Sequence, residues 1–307
     1  MVRYIGQRLV GTIVVLFGVS VLVFAILYLM PGDAATVLLF GTNATPQRIA
    51  ELRHQLGLDR PLIVQYGDYL SHVLRGDLGT SYISHRQVTD EIMARFPATV
   101  RLTIGGMLVA LIVGIPTGIL GAIRRGTWVD AVASGISVFG VAVPNFWLAV
   151  LMALLFSVKL HWFPVLGTGS IRALVLPSIA LGWGFAAIIT RLVRASMIEV
   201  LNQPYVTTAR AKGLNEQVVI VRHALKNAMI PVLTILGLQV ANLLSGAVVI
   251  ESIYARQGIG SLAVRGIQAR DIPLIQGVTL FVAAIYVLVN LLVDVGYALL
   301  DPRIHHE

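Results

Sequence analysis

Long apolar runs without a single charged side chain or histidine limit the folds open to this chain. A helix needs roughly 20 mostly apolar residues to cross the hydrocarbon core of a bilayer. We therefore predict an all-α polytopic membrane protein with about six transmembrane helices, forming one membrane domain over residues 1–307. The predicted spans are Leu9–Met30, Leu102–Ile123, Val132–Val158, Ala173–Ile189, Ala228–Ile250 and Ile272–Val293.

The composition supports burial in lipid. Only 12% of the residues are charged, whereas a soluble domain carries about 25%. The net charge of +8 would suggest a nucleic-acid partner for a soluble protein. In a membrane protein it fits the retention of basic residues on the cytoplasmic side, so we expect the lipid bilayer and no nucleic acid as a partner. The chain has no cysteine, which excludes disulfides and thiolate sites.

The orientation follows from the basic residues beside the spans. The first apolar run is longer than the roughly 7–15 residues of a signal-peptide core and has no convincing cleavage site, so we expect an uncleaved span. Basic residues in short loops favour the cytoplasmic side, which places both termini there. These residues are Arg3, Arg8, Arg124 and Arg125, with Arg191, Arg194, Arg210, Lys212, Arg222 and Lys226 between the fourth and fifth spans.

The long outer loop, residues 31–98, contains helical patterns of its own. Thr45 is a candidate cap for a helix with Pro46 in its first turn, Ile49, Leu52 and Leu56 on one face, and Gly57 as its stop. Further helices are predicted over Leu62–Leu74, ended by Gly76, and over Val88–Phe96. This loop is either a plain external cap or a docking or gating element, and the sequence favours neither.

The spans lack the ionisable residues that mark proton pathways, which argues against proton coupling. Uncharged polar residues are present instead. Gln239, Asn242 and Ser245 recur every third residue, near one face of the fifth span. Together with Asn145 they either bond neighbouring helices or line a weakly polar path for a substrate. Gly114 and Gly118 form a small-residue pair that favours close helix packing.

A polar cytoplasmic loop, residues 197–227, overlaps the segment Tyr205–Pro231, which has a helix-turn-helix pattern. Asn202 is a candidate cap for a helix with Pro204 in its first turn, and Gly213 is a candidate stop. Asn215 is a candidate cap for a second helix, which carries Val218, Val219 and Val221.

This segment has two interpretations. It is either a solvated basic loop or a surface held by another cytoplasmic protein. Paired, capped helices with apolar valines favour the second interpretation. Ala209 and Ala211 would allow close approach to a groove, and Arg210 and Lys212 would meet carboxylates on its rim.

The same segment resembles the coupling loop, or EAA loop, of ABC-importer permeases of the dipeptide/oligopeptide/nickel class. The class pattern Y-x-R-T-A-R-A-K-G-L is matched from Thr208 to Leu214, although Thr207 replaces an arginine and the glutamate of the general motif is absent. The following pattern is matched at His223, Leu225, Asn227, Ala228 and Pro231, with Lys226 replacing an arginine. Other matching stretches are MPGD, LGLDRPLIVQY, GDLGTSY, GLQV, ESIY, GIG and NLLVDVGYALLDPRI.

The resemblance implies a B-type permease of the bacterial inner membrane that pairs with a second homologous permease. Two ABC ATPase subunits would bind ATP and Mg²⁺, and a periplasmic or lipoprotein substrate-binding protein would deliver the cargo. This chain has no phosphate-binding G-x-x-x-x-G-K-[ST] motif, so we expect it neither to be an enzyme nor to bind a cofactor. The implied ATPase-coupling residues are Tyr205, Thr208, Ala209, Arg210, Ala211, Lys212, Gly213 and His223.

Substrate identity is open at this point. Peptides are expected first, and the class also imports glutathione, nickel chelates, haem and some sugars. A stand-alone carrier or channel would need no ATPase, and an intramembrane enzyme would need reactive groups within the spans. Every histidine lies outside the predicted spans.

Overall fold

The computed structural model describes residues 2–29, 36, 45–55, 57–164, 167 and 169–300. These residues confirm the all-α class, since apart from one isolated bridge between Thr80 and Gln87 they are helices, turns and loops. The chain divides into two compact units, the first formed by Met1–Pro97 with Ser261–Glu307 and the second by Ala98–Gly260. The single domain over residues 1–307 stays a prediction, because compact units of one chain can still fold together.

The first unit is built on two long helices, α1 (Val2–Leu29) and α12 (Ile272–Leu300). They pack along each other, and the Gln276 side chain donates a hydrogen bond to the carbonyl of Val23 (3.4 Å). A shorter helix, α3 (Leu62–Leu74), packs on α1, where the hydroxyls of Ser20 and Tyr66 lie 2.7 Å apart. The outer-loop helices of this unit are α2 (Pro46–Gln55) and α3 (Leu62–Leu74).

The predicted helix cap and the predicted helix-ending glycines of the outer loop are confirmed. Thr45 Oγ1 accepts a weak hydrogen bond from the amide of Arg48 (3.4 Å), as a helix cap does. Gly57 and Gly76 have φ of +68° and +79°, in the left-handed region that glycine adopts without strain. Leu56 lies outside the described residues.

The third outer-loop helix does not end before the second span. Residues Val88–Ile123 form one helix of 36 residues, α4, which runs through Pro97. Its first turns belong to the first unit, where the rings of Phe96 and Phe281 meet edge to face at 5.2 Å. The predicted loop helix and the predicted span are therefore one element.

A buried carboxylate holds the outer loop in place. Asp271, which is 1% exposed, lies just before α12 and accepts hydrogen bonds from Ser81 Oγ (2.5 Å) and from the amides of Tyr82 (3.2 Å) and Ile83 (3.4 Å). A buried charge is stable only where such bonds replace its hydration. Asp271 therefore fixes the turn after Gly79 against the start of α12, a contact that the sequence pattern does not indicate.

The second unit is centred on α7 (Arg172–Leu201), which continues beyond the predicted span Ala173–Ile189 by twelve residues at its C-terminal end. It packs against α5 (Trp128–Ala142), α6 (Asn145–Met152) and α10 (Lys226–Ile253). A π-helical stretch, Ala153–Lys159, continues α6. The remaining elements are the short helices α8 (Pro204–Ala211) and α9 (Glu216–Val218), and α11 (Ile259–Ala269), which leads out of this unit.

The third span is not the single continuous helix predicted over Val132–Val158. The helix breaks at Val143 and Pro144, and the axes of residues 128–142 and 145–159 differ by 101°. Pro144 lacks an N–H and disfavours the helical conformation of the residue before it, and Val143 is accordingly extended with ψ of 119°. Among the described residues, five helices are long and apolar enough to cross a membrane, or six if this bent pair is counted as one span.

An ion pair lies at the predicted cytoplasmic end of this unit. Asp130, near the start of α5, accepts hydrogen bonds from Arg194 Nε (2.6 Å) and Nη2 (2.9 Å) in α7, and from the amide of Gly126 (3.0 Å). Two parallel bonds between an arginine and a carboxylate fix both distance and orientation. The pair therefore locks the turn between α4 and α5 onto α7.

The packing role predicted for Gly114 and Gly118 is confirmed. A Cβ at Gly118 would lie 2.7 Å from the carbonyl oxygen of Thr190 and from Cβ of Val193, and one at Gly114 would lie 2.8 Å from the carbonyl oxygen of Ala186. These distances are shorter than van der Waals contact. Helices α4 and α7 can approach this closely only because both positions lack a side chain.

We predict that Gly118→Val destabilises the protein in detergent, because the added side chain forces α4 away from α7. Overpacking of this kind costs about 1–3 kcal/mol. Gly135→Val in α5 is the matched control, since nothing lies within 4 Å of a Cβ at Gly135. Thermal unfolding of both variants provides the measurement. Equal melting temperatures for the two variants would contradict the packing assignment.

Candidate functional site

The polar segment after α7 forms two short helices, as predicted, but the first cap is different. Asn202 ends α7, and its Nδ2 donates to the carbonyl of Ile198 (2.9 Å), so its prediction as a helix N-cap is wrong. Gln203 occupies the N-cap position of α8 without a side-chain cap bond. Pro204 takes the first helical position, where its missing N–H would have no partner in any case.

The other predicted turn residues are confirmed. Gly213, with φ of +78°, follows Lys212 at the end of α8, and its amide donates to the carbonyl of Arg210 (2.9 Å). Asn215 caps α9, where its Oδ1 accepts from the amide of Gln217 (2.9 Å). The sequence thus specifies a tight reversal between α8 and α9.

The second short helix joins the fifth apolar run directly. Helix α9 passes through a π-helical stretch, Val219–Leu225, into α10, so that residues 216–253 form one helical run with Pro231 inside it. The sequence pattern predicts two separate elements here, a short capped helix and a span that starts at Ala228. Motion imposed on α9 is therefore transmitted directly to the start of α10.

A small buried cluster holds α8 against this run. Val206 and Val219 have no exposed surface and Ala209 is 7% exposed, and the end of α7, at Val200 and Leu201, packs against them. Ala209 therefore faces inward, whereas Thr208, Ala211 and Lys212 are exposed. Of the three predicted valines, Val218 and Val221 are exposed and Val219 is not.

Tyr205 forms a polar link between the same elements. Its hydroxyl accepts from Nδ2 of Asn227 (2.7 Å) and donates to the carbonyl of His223 (3.5 Å). Two of the predicted coupling residues, Tyr205 and His223, are therefore joined across the reversal. The link adds to the buried cluster that holds α8 against the start of the helical run.

The charges of the segment are arranged differently from the expectation. Arg210 makes two hydrogen bonds to Glu216, from Nε (3.1 Å) and from Nη2 (2.7 Å), and this partner raises the pKa of Arg210. Arg210 is thus paired within its own chain. Within this segment, Lys212, Arg222 and Lys226 are exposed and carry no ion pair to the described residues.

The predicted polar path residues occupy two helices. Gln239 is buried, and its Oε1 accepts from Nδ2 of Asn242 (3.2 Å). Asn242 and Ser245 are exposed on α10, and Val249 and Ser252 continue their stripe toward the end of the helix. Asn145 lies at the start of α6, where its Oδ1 would be 3.1 Å from a Cβ at Gly184 of α7. The sequence pattern did not single out Val249 and Ser252.

A second buried carboxylate lies at the other end of α10. Glu251 has no exposed surface, and it accepts hydrogen bonds from Thr99 Oγ1 (2.5 Å) in α4 and from the amide of Gly260 (2.9 Å) in α11. Thr99 Oγ1 in turn accepts from the amide of Ile259 (2.9 Å). We call these four residues, Glu251, Thr99, Ile259 and Gly260, the Glu251 clasp. The sequence drew attention to Glu251 only as part of the ESIY motif.

A buried arginine accompanies the clasp. Arg256 is 2% exposed, and its Nη1 donates to the carbonyls of Gly167 and Ala173, each at 3.3 Å. Burial lowers the pKa of Arg256, while the charge of Glu251 acts in the opposite direction. Its Nε is buried without a hydrogen-bond partner among the described residues.

Comparison with known families identifies the class to which this architecture belongs. Residues 114–306 match the family described as the binding-protein-dependent transport system inner membrane component. Residues 1–103 match the N-terminal domain described for membrane components of the same transport systems. The chain belongs to this family, and it is an inner-membrane, multi-pass permease subunit of an ABC importer.

Particular relatives place the chain within the peptide and oligopeptide class of these permeases. It is 44% identical over 307 residues to the glutathione transport system permease protein GsiC of Escherichia coli O6:H1 and to that of Salmonella typhi, covering 100% of both chains in each case. A solved structure described as an amino acid ABC transporter with histidines aligns with a TM-score of 0.53 at 17% identity, over 70% of this chain and 94% of that chain. At that identity the likeness shows a shared fold.

Proposed function

We propose that this chain and a second homologous permease form the translocation path of an importer of short peptides, with glutathione as the first candidate substrate. The observation that supports glutathione as the substrate is the 44% identity, over the full length of both chains, to permeases named for glutathione transport. Di- and oligopeptides are the nearest alternatives within the same machinery. A substrate-binding protein outside the membrane delivers the cargo.

Helices α8 and α9 are the surface on which an ABC ATPase docks. The buried cluster of Val206, Ala209 and Val219 and the Tyr205–Asn227 bond support this assignment, because they make the segment stiff enough to transmit a displacement. Lys212, Arg222 and Lys226 are the cations available to an acidic rim on the ATPase, and long-range charge attraction of this kind guides docking. Arg210 acts differently, by bracing α8 against α9.

The energy source lies outside this chain. ATP and Mg²⁺ bind to two ATPase subunits, the chain itself catalyses no reaction, and both of its termini are cytoplasmic. The sequence supports this division, because it contains no phosphate-binding motif of the Walker type. Substrate passes along the exposed polar stripe of α10, where Asn242 and Ser245 offer weak hydrogen bonds that do not retain it.

The decisive experiment is purification of this chain from its native membrane in mild detergent, followed by mass spectrometry and reconstitution. We expect a second permease and two ATPases to accompany it, and glutathione with the binding protein to stimulate ATP hydrolysis. Competition for uptake between glutathione, a dipeptide and a nickel chelate separates the substrate alternatives. Recovery of this chain alone, under conditions that preserve a known ABC complex, would instead support a self-sufficient carrier.

We predict that a substitution series at Gly213 separates backbone effects from docking effects. Asn tolerates a positive φ, so Gly213→Asn should keep most activity, while Gly213→Ala should cost about 1 kcal/mol of local stability. Gly213→Glu adds strain and a negative charge facing an acidic rim, and should abolish coupling. Receptor-stimulated ATP hydrolysis and uptake are measured in the reconstituted complex. Normal values for an assembled Gly213→Glu complex would rule out docking at this turn.

We predict that Asn242→Leu changes uptake kinetics without affecting assembly, because it removes an exposed polar group from the proposed path. Val249→Leu lies on the same face of α10 and is the control, since that position is already apolar and 48% exposed. The measurement is the initial uptake rate at several substrate concentrations. Identical kinetics for Asn242→Leu and the wild-type protein would assign Asn242 to helix packing alone.

A further inference from the structure

The Glu251 clasp joins the points at which the chain enters and leaves the second unit. Thr99 is the second residue of that unit and Gly260 is its last, and both bond to the carboxylate of Glu251. The fit is tight, because a Cβ at Gly258 would overlap the carboxylate oxygens. Only glycine allows the chain to pass this carboxylate.

The clasp is also at the far end of the helical run that starts in the docking segment. Residues 216–253 are helical throughout, a length of about 55 Å at 1.5 Å per residue. Glu216 lies at one end, bonded to Arg210 of α8, and Glu251 lies in the last turn at the other end. A displacement of the cytoplasmic end therefore reaches Glu251 through continuous helix.

The closed clasp keeps two opposite charges buried in separate sets of hydrogen bonds. Glu251 accepts from a hydroxyl and a backbone amide, whereas Arg256 donates to two carbonyls and its Nε has no hydrogen-bond partner among the described residues. Burying charged groups carries a large desolvation cost that imperfect bonding offsets only in part. That cost is relieved in a second state, in which water replaces Thr99 and Gly260 as the partners of the carboxylate.

From these three observations we infer that the Glu251 clasp opens and closes during transport, driven by α10, and that Glu251 is a positioning residue for the transport cycle. The inference rests on the proposed coupling of α8 and α9 to an ATPase. It does not depend on the identity of the substrate. A purely structural clasp would stay closed throughout the cycle.

A reversible lock distinguishes a moving clasp from a static one. The chain has no cysteine, so the double variant Thr99→Cys/Ile259→Cys introduces its only thiols, at two positions already joined by a hydrogen bond. The rate of disulfide formation is measured in the full complex, nucleotide-free and trapped with ATP and vanadate. We expect the two rates to differ at least about fivefold, which is the scale of a typical coupling between sites. Equal rates in both states would overturn the inference.

Uptake in proteoliposomes gives a second readout from the same protein. The oxidised, locked complex should transport at least about tenfold more slowly than the same complex after reduction, because one state of the cycle is excluded. Undiminished uptake by a fully cross-linked complex would show that the clasp need not open. A wild-type complex that hydrolyses ATP but takes up no glutathione would contradict the proposed substrate. The rates of disulfide formation would still decide whether the clasp moves, because they do not depend on the substrate.

Glu251→Gln tests the same inference without a cross-link. The neutral side chain has nearly the same size but holds Thr99 and Gly260 less strongly, so the clasp should open without input from the receptor. We expect receptor-independent ATP hydrolysis to rise and its stimulation by the receptor to fall. Gln268→Ala is the control, since Gln268 is exposed on α11 and belongs neither to the clasp nor to the proposed path or docking surface. A stimulation ratio like that of the control in an assembled Glu251→Gln complex would also overturn the inference.

Discussion

The hydrocarbon core of a membrane offers no water to an exposed amide, and this constraint governs the fold. Every backbone N–H and C=O at that depth needs a partner within the protein, which long helices provide within a single segment. Side chains then decide how closely the helices approach. Residues 114 and 118 are glycines, and they bring α4 onto α7 near Ala186 and Val193. Close contact replaces the hydrophobic driving force, which does not draw apolar helices together in lipid.

The carboxylates inside the protein lie where polar groups of other elements can donate hydrogen bonds to them. Asp130 pairs with Arg194 beside the turn from α4 to α5, Asp271 accepts hydrogen bonds from the outer loop, and Glu251 accepts one from Thr99 of α4. In each case a carboxylate accepts hydrogen bonds from elements distant in the sequence. These residues specify which helix ends contact each other. Apolar packing alone distinguishes poorly between alternative pairings of the helices.

Local features of the sequence predicted the fold well, whereas its long-range contacts could not be predicted. The apolar runs, the turns at Gly57, Gly76 and Gly213, and the cap at Asn215 depend on neighbouring residues, and the structure confirms them. The helix break at Pro144 was missed because proline is tolerated in many transmembrane helices, so its presence alone does not predict a kink. Glu251 accepts a hydrogen bond from Thr99, and Asp271 accepts one from Ser81; each bond joins residues more than 150 positions apart. The periodicity of apolar residues along a sequence does not predict which distant residues form hydrogen bonds.

In the predicted cytoplasmic segment, too, local features were predicted and contacts between helices were not. Its helices and its reversal follow from caps and glycine, but the Arg210–Glu216 pair required knowledge of how α8 faces α9. Asn202 was assigned to the wrong helix because the sequence did not show that α7 extends to Leu201. Helix ends are set by tertiary contacts as much as by capping residues.

The π-helical stretch between α9 and α10 has a geometric consequence for the whole fifth span. A π turn closes a hydrogen bond to the fifth residue rather than the fourth, and so contains one residue more than an α turn. Since each residue advances an α-helix by about 100°, the extra residue changes the azimuth of everything that follows. Val219–Leu225 therefore determines how far the Asn242–Ser252 stripe of α10 is rotated about the helix axis relative to α9. The direction in which that stripe points is encoded some twenty residues before it, in a helix defect rather than in the stripe itself.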